Sequence, residues 1–255
     1  MANLLIPCSG PGTRSIGYTK FHKALIRIGN TAVIDRIIQS YTDIDTIYIT
    51  LGYEGNIVRE YIEHAGYKNV EFIDIPDWNN NQIASFQQIP QHVFDQPFYY
   101  NACDNWTTSV PEPIGNTYYT CMPSDSQHYD LSNGSVYSGI AYINDTQHFY
   151  ELLQDSQLTR NDLLLYQQFK ELSAIPLDDW FDVGNKDSYI ASSAQFNDDF
   201  GILDKTNQEF YKVNNRVVKL FQEMPTINFD SLAFPHPQPV RESNYGISYN
   251  FVEGV

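Results

Sequence analysis

Apolar runs and amphipathic stretches take turns along the chain from Leu4 to Ile75. Leu4 to Ile6 is a short, continuously apolar run, the pattern of a strand buried on both faces. After a polar loop, Val33, Ile34, Ile37, Ile38 and Tyr41 recur at helical spacing, and Thr31 stands where a helix N-cap is expected. Thr46 to Leu51 reads as a second strand, broken by Gly52-Tyr53-Glu54-Gly55. Ile57, Val58, Tyr61 and Ile62 mark the apolar face of another helix, which ends near Gly66, and Val70 to Ile75 is a third strand. Short links between such units force parallel strands with helical crossovers, so the pattern predicts a doubly wound α/β sheet. Ligands of such sheets bind at the carboxyl ends of the strands.

Further along, Trp78 to Phe86 is a polar loop entering a short helix that Pro90 interrupts. Phe98 to Cys103, Asn116 to Met122 and Ser135 to Ile143 read as strands, and His148 to Leu153 and Arg160 to Leu172 as helices. Beyond about Ala194 the alternation stops. Lys205 to Phe221 has the pattern of a hairpin of two alternating strands turned at Asn214-Asn215. The predicted organisation is therefore an α/β domain over 1–195 and a small β-rich extension over 196–255.

At 255 residues the chain can bury a sizeable core. Its formal net charge of −16 argues against nucleic acid or an anionic membrane surface as the main partner. No stretch approaches the roughly 18 apolar residues of a membrane span, and the N-terminal run lacks the basic flank of a signal peptide. The cysteines, Cys8, Cys103 and Cys121, are odd in number and form no C-x-x-C pair. Neither a disulfide framework nor a zinc site is encoded, and a cytoplasmic location is the expectation.

Against this acidic background, residues 7 to 23 stand out. Pro7-Cys8-Ser9-Gly10-Pro11-Gly12-Thr13-Arg14 follows the first strand, with Lys20 and Lys23 shortly after. Glycines at 10 and 12 let the backbone take unusual angles and bring its N–H groups onto an oxyanion, to which Arg14 and Lys23 add positive charge. The spacing is neither that of a Walker A loop nor that of the dinucleotide fingerprint. Asp104, at the carboxyl end of the Phe98 to Cys103 strand, either caps the next turn or faces the loop and holds Mg²⁺, which prefers a few carboxylates plus phosphate oxygens.

Taken together, Ser9-Gly10-Pro11-Gly12-Thr13-Arg14 followed by Lys23-Ala24-Leu25 resembles the signature loop of the nucleotidyltransferases that activate sugar 1-phosphates and phosphocholine, with His22 where that family has proline. Gly52-Tyr53 with its following helix, Ala102-Cys103-Asp104-Asn105-Trp106, Ser138-Gly139-Ile140 and Trp180-Phe181-Asp182-Val183-Gly184 are similar to further motifs of that family, in the same order. The resemblance implies a Rossmann-like, mixed but mainly parallel sheet. It implies Arg14, Lys23, Asp104 and Asp182 as the catalytic set, with Asp104 and Asp182 binding Mg²⁺. Nucleotide contacts would come from Pro7 to Gly10, Gly12 to Arg14 and Lys23, with Asn81 and Ser85 at the base.

The acceptor is less constrained. Cys121-Met122-Pro123-Ser124 lacks the lysine of the sugar-activating members' Glu-Lys-Pro, and the Asp104 motif is nearest the phosphocholine variant. The resemblance thus points to CTP as the nucleoside triphosphate and phosphocholine or a similar phospho-amine as acceptor, near Trp106, Tyr137, Gly139 and Trp180. A sugar 1-phosphate, and a non-catalytic nucleotide-binding module, remain the alternatives. Cell-surface polysaccharide biosynthesis is that family's usual destination. The tail resembles the start of a choline-kinase-like phosphotransferase, with Lys219 on a strand and Ile247 to Gly254 as a hinge strand. That likeness implies a kinase domain beyond this chain; packing on the first domain, or a homodimer contact, is the other reading.

Overall fold

The computed structural model describes residues 2–122, 136–159, 169, 171–196, 205–225 and 238–252. The predicted helix at Arg160 to Leu172 lies almost wholly outside them.

Strand β1 (Ala2–Cys8) is an interior strand of the main sheet. The chain then forms two short strands, β2 (Arg27–Ile28) and β3 (Thr31–Ala32), and helix α1 (Val33–Gln39). Thr31 is thus a strand residue and not the cap; Ala32 is the N-cap, and the Asp35 carboxylate accepts its backbone N–H at 3.2 Å. There follow β4 (Ile44–Leu51), α2 (Gly55–Ala65), β5 (Val70–Asp74), α3 (Gln82–Phe86), β6 (Phe98–Asn101), β7 (Asn105–Trp106), β8 (Thr117–Cys121) and β9 (Val136–Ile143). Helix α4 (Thr146–Asp155), β10 (Ser173–Pro176), β11 (Phe181–Asp182) and α5 (Lys186–Ser193) complete the α/β part.

Seven strands form one sheet in the order β10-β8-β9-β6-β1-β4-β5. Only β9 runs antiparallel to its neighbours β6 and β8; the other pairs are parallel, so the sheet is mixed and mainly parallel. The two faces carry separate cores. Leu4, Ile6, Ile34, Ile37, Val58 and Ile62 pack on one, and Leu5, Ile83, Phe86, Phe94, Phe98 and Phe149 on the other. The alternation of Leu4 and Ile6 against Leu5 is the strand's period of two. Among the described residues no helix is long and apolar enough to cross a membrane.

The tail adds a sheet of β12 (Gln208–Val213), β13 (Arg216–Phe221), β15 (Gly246–Asn250) and β14 (Arg241–Glu242), in that order. The hairpin turns at Asn214 and Asn215, at φ of 47° and 59°, the left-handed pair that a two-residue turn of this hand requires. Tyr211, Val213, Val218 and Leu220 join the same core as β1 and α2.

Candidate active site

The carboxyl ends of β1, β4 and β6 meet at one edge of the sheet, and the loop after β1 closes over them. Gly12 takes φ of 57°, and a side chain there would begin 3.0 Å from Lys23 Cδ, so glycine is needed both for the turn and for the approach of the lysine. Ser15 closes the turn through its backbone N–H and its hydroxyl, both donating to the Gly12 carbonyl at 2.8 and 2.7 Å. The loop also rests on the end of β4, where Tyr53 N–H donates to the Ser9 carbonyl at 2.9 Å.

Lys23 Nζ donates to Asp104 Oδ2 at 2.9 Å, with the lysine side chain 20% exposed and the aspartate 11%. Burial, the largest influence, works against the ammonium; the Asp104 carboxylate is chief among the groups that oppose it, and the net displacement of the Lys23 pKa is upward. Asp182 comes alongside because β11 pairs antiparallel with β7, setting Asp182 against Asn105, and Val183 N–H donates to the Asp104 carbonyl at 2.9 Å. Burial first, then the charge of Asp104, push Asp182 up to about 6. Its Oδ1 accepts the Gly184 N–H at 3.0 Å. Its Oδ2 is buried and accepts no hydrogen bond among the described residues.

A side-chain carbon on Gly184 would begin 3.0 Å from Asp182 Oδ1 and 3.4 Å from Asp104 Oδ2. The missing side chain is what leaves room between the two carboxylates. An orphaned carboxylate oxygen, a second carboxylate beside it and a cradle that a Cβ would fill suit a hard divalent cation. Among the described residues no group of three or more His, Cys, Asp or Glu could hold a metal. Such a cation would therefore complete its shell with water or substrate oxygens, as Mg²⁺ does on phosphates.

Lys23 separates two cavities. One, of about 200 Å³, is lined by Pro11 to Ser15, Lys23, Asp104 and Gly184. The other, of about 220 Å³, runs from Pro7, Ser9 and Gly10 to Trp78, Asn80, Gln82, Ser85 and Tyr100. Arg14 and Thr13 are exposed at the lip of the first.

Of the expected residues, Pro7, Ser9, Gly10, Gly12, Thr13, Arg14, Lys23, Ser85, Asp104 and Asp182 converge here. Cys8 lies beneath the loop, fully buried beside Cys103. Asn81 does not face the cavity: its Oδ1 accepts Ala84 N–H at 2.9 Å and caps α3, which turns its neighbours Asn80 and Gln82 inward instead. The aromatic acceptor set is core. Trp106 is 2% exposed and stacked on Phe181 at 5.1 Å; Trp180 is 9% exposed, with its indole N–H donating to the Ser138 carbonyl at 2.9 Å. Tyr137 is also buried, and Gly139 is where the Asn105 amide packs against the strand, 2.5 Å from where a side chain would begin.

Sequence reasoning missed Tyr18, whose hydroxyl donates to the Val183 carbonyl at 2.6 Å. Burial, then Asp182 and Asp104, push its phenol up to about 12. It also passed over Gly184 as a determinant of the carboxylate pair and the bonds that the His22 ring makes to Ala24 and Gly10. Only His22 had a local signal, as a histidine in place of proline.

No family model matches the chain, and no curated relative does. Solved structures do match. The CTP:phosphocholine cytidylyltransferase of Streptococcus pneumoniae aligns with a TM-score of 0.63 at 15% identity, over 76% of this chain and 98% of that one. HddC from Yersinia pseudotuberculosis aligns with a TM-score of 0.61 at 13% identity, over 77% and 100%. The inositol-1-phosphate CTP transferase of T. maritima gives 0.59 at 10%, over 76% and 96%. The chain has the Rossmann-like fold of these nucleotidyltransferases.

Proposed function

We propose that the protein transfers a nucleoside monophosphate from a nucleoside triphosphate to a phosphorylated small molecule, releasing pyrophosphate. One observation carries this: Lys23, Asp104 and Asp182, distant in sequence, meet around Gly184 directly beneath the glycine-rich loop.

The acceptor's phosphate oxygen attacks the α-phosphorus; the bond from that phosphorus to the oxygen bridging to the β-phosphate breaks, and pyrophosphate leaves with the electron pair. The nucleophile is already an anion and needs no base. The obstacle is repulsion between two phosphates and charge building on the leaving oxygen, which positioning and fixed positive charge relieve. Lys23, at the wall between the two cavities, reaches the phosphates of either substrate. Arg14 neutralises the triphosphate from the lip, and the loop N–H groups of Ser9, Gly10, Gly12 and Thr13 take its oxygens. Mg²⁺ held by Asp104 and Asp182 would supply charge neutralisation between the α-phosphate and the incoming phosphate.

CTP is the favoured donor and phosphocholine, or a similar phospho-amine, the favoured acceptor. The amides of Asn80 and Gln82 supply the donors and acceptors that reading a base edge requires. The cytidylyltransferase among the matched folds is named for that substrate pair. With Trp106 and Trp180 buried, Tyr18, which feels the charges of Asp182 and Asp104 and stacks on Tyr189 at 5.2 Å, offers an aromatic face beside the carboxylates. A pyrophosphate-release assay crossing CTP, UTP, dTTP and GTP with phosphocholine and a panel of sugar 1-phosphates tests the reading. Release with CTP and phosphocholine is expected. Release with a sugar phosphate alone would reassign the acceptor, and nucleotide binding without release in any pairing would make the protein a binding module.

A further inference from the structure

His22 sits at the junction between the glycine-rich loop and the turn that carries Lys23. Its ring is 2% exposed and bonded at both nitrogens. Nδ1 lies 3.2 Å from the backbone nitrogen of Ala24, and Nε2 lies 3.2 Å from the carbonyl oxygen of Gly10. An amide N–H only donates and a carbonyl oxygen only accepts. The two partners therefore define the ring: Nδ1 is the acceptor and Nε2 carries the proton. A protonated ring could not keep both bonds, because an imidazolium has no acceptor. Burial, and after it the charge of Lys23, hold the ring down to about 4, so the bonded form is the neutral one.

Next to Gly10, the Ser9 carbonyl is held by the Tyr53 N–H at 2.9 Å, which fixes the loop to β4 but not to the Lys23 turn. Chain neighbours aside, no atom lies within 4 Å of where a side chain on Gly10 would begin, so that side of the loop faces open space. The Lys23 turn, by contrast, is held from behind as well, where the Tyr211 hydroxyl donates to the Leu25 carbonyl at 2.8 Å.

We propose that His22 is a positioning residue: one ring in one tautomer ties the Gly10 carbonyl to the Lys23 turn, setting the distance between the loop's N–H groups and the Lys23 ammonium. This rests on the reading of the cleft as a triphosphate site. With the tether intact, loop and lysine close on the same phosphates without rearrangement. Without it the loop drifts while Lys23 stays on Asp104, and the two halves of the anion site part.

The test uses the full chain and the variants His22→Asn and His22→Ala. Asparagine keeps an oxygen that accepts the Ala24 N–H but is too short to reach Gly10, so it cuts the tether alone. His22→Asn is expected to melt close to the wild type, to bind inorganic pyrophosphate with Mg²⁺ about tenfold more weakly by calorimetry, and to lose about 10²-fold in kcat at saturating CTP. His22→Ala should show the same losses with lower stability. In wild-type protein carrying ¹⁵N-labelled histidine, the His22 ring should show the Nε2–H tautomer between about pH 8 and pH 5.5, and its Nε2 resonance should move when pyrophosphate binds.

A folded His22→Asn with wild-type pyrophosphate affinity and kcat overturns the proposal, as does an Nδ1–H or imidazolium signature in that range. Should His22→Asn fail to fold, the wild-type resonance decides: no shift on pyrophosphate binding overturns the tether. Wild-type protein that binds pyrophosphate but releases none from any nucleotide would sink the reaction proposed above, while the binding arm still judges His22. Wild-type protein that binds neither pyrophosphate nor nucleotide sinks both.

Discussion

Asp182 is held where its charge is disfavoured, 3% exposed and beside a second carboxylate. Its unfolded value is the ordinary 3.8, and in the folded protein burial and then Asp104 push it up to about 6. Between those values the folded state keeps a proton that the unfolded state has lost, so this group's contribution to stability falls as pH rises through that window. Asp182→Asn removes the charge with little change of shape. It should stabilise the protein at pH 8 by about 2 kcal/mol, an advantage that fades below about pH 4, as urea titrations at both pH values would show. The same variant should lose about 10² to 10³ in pyrophosphate release and any rise in melting temperature on adding Mg²⁺ with CTP. A variant less stable than wild type at pH 8 would mean that the carboxylate is not frustrated. Lys23→Ala should likewise lose about 10² to 10³ in turnover, measured by the same release assay, and it leaves Asp104 without its 2.9 Å partner. Asp104 was legible in the sequence because a carboxylate at the end of a buried strand stands out, whereas Asp182 was implied only by the resemblance of Trp180 to Gly184 to a family motif. Gly184 was not, because what it provides is an absence of atoms, and that acquires meaning only when β11 is laid beside β7. Trp106 misled for the opposite reason: an aromatic residue beside a site reads the same locally whether it lines the cleft or, as here, stacks beneath it on Phe181.

Helix α2 is where the tail becomes part of the protein. The last carbonyls of a helix lack intrahelical partners, and here the tail supplies them: Arg216 donates to the His64 carbonyl at 2.8 Å and Asn214 to the Ala65 carbonyl at 3.2 Å. Gly66, at φ of 82°, ends the helix and leaves the space that the Arg216 guanidinium fills. His64 is fully buried between Ser248, 3.0 Å from Nδ1, and Ser243, 2.7 Å from Nε2. The Ser243 hydroxyl donates to Glu60, so it accepts from Nε2–H, and Nδ1 accepts from Ser248. Burial, then Arg241, lower His64 to about 4, with Arg216 acting in the same direction and Glu60 against it. A depressed base contributes stability that is present above its unfolded pKa and lost as pH falls from about 6.5 towards about 4. The stability difference between wild type and His64→Gln, measured by urea titration, should therefore shrink by up to about 3 kcal/mol across that window; a constant difference would mean that His64 does not titrate in this way. At the front of the same sheet, Tyr211→Phe removes the bond to Leu25 and should destabilise the fold by about 1 kcal/mol. The hairpin itself was legible, since Asn-Asn between two alternating runs dictates its turn. Its seat was not, because an alternating strand declares that one face is buried and never against what. The start of α1 was misplaced for a related reason: Thr31 has capping chemistry, yet Asp35 in the first turn reaches back to the Ala32 N–H and sets the boundary one residue later.

Over the whole molecule, 31 acidic against 15 Lys and Arg residues surround a site proposed to take a triphosphate. The sign of this imbalance was plain in the sequence, as was the alternation that builds the sheet. The sequence pattern did not show how few cations the fold gathers at the cleft among the described residues, chiefly Lys23, already paired with Asp104, and Arg14 at the lip. Two fields of opposite sign therefore act on an approaching nucleotide. The net charge repels it over long range, while the loop and its cations attract it only within contact distance. Salt separates them, because the Debye length shrinks from about 30 Å at 0.01 M to about 8 Å at 0.15 M. The long-range repulsion is screened away over that interval, and the short-range contacts, half-buried at Lys23, are screened much less. Raising ionic strength across this range at constant free Mg²⁺ should therefore raise kcat/KM for the nucleotide by a factor of about 2 to 10, the reverse of electrostatic steering by a basic cleft. The acidic surface should leave kcat nearly unchanged, since it acts on encounter and not on the bound phosphates. A fall in kcat/KM with salt would show that Arg14, Lys20 and Lys23 govern the approach despite the charge around them.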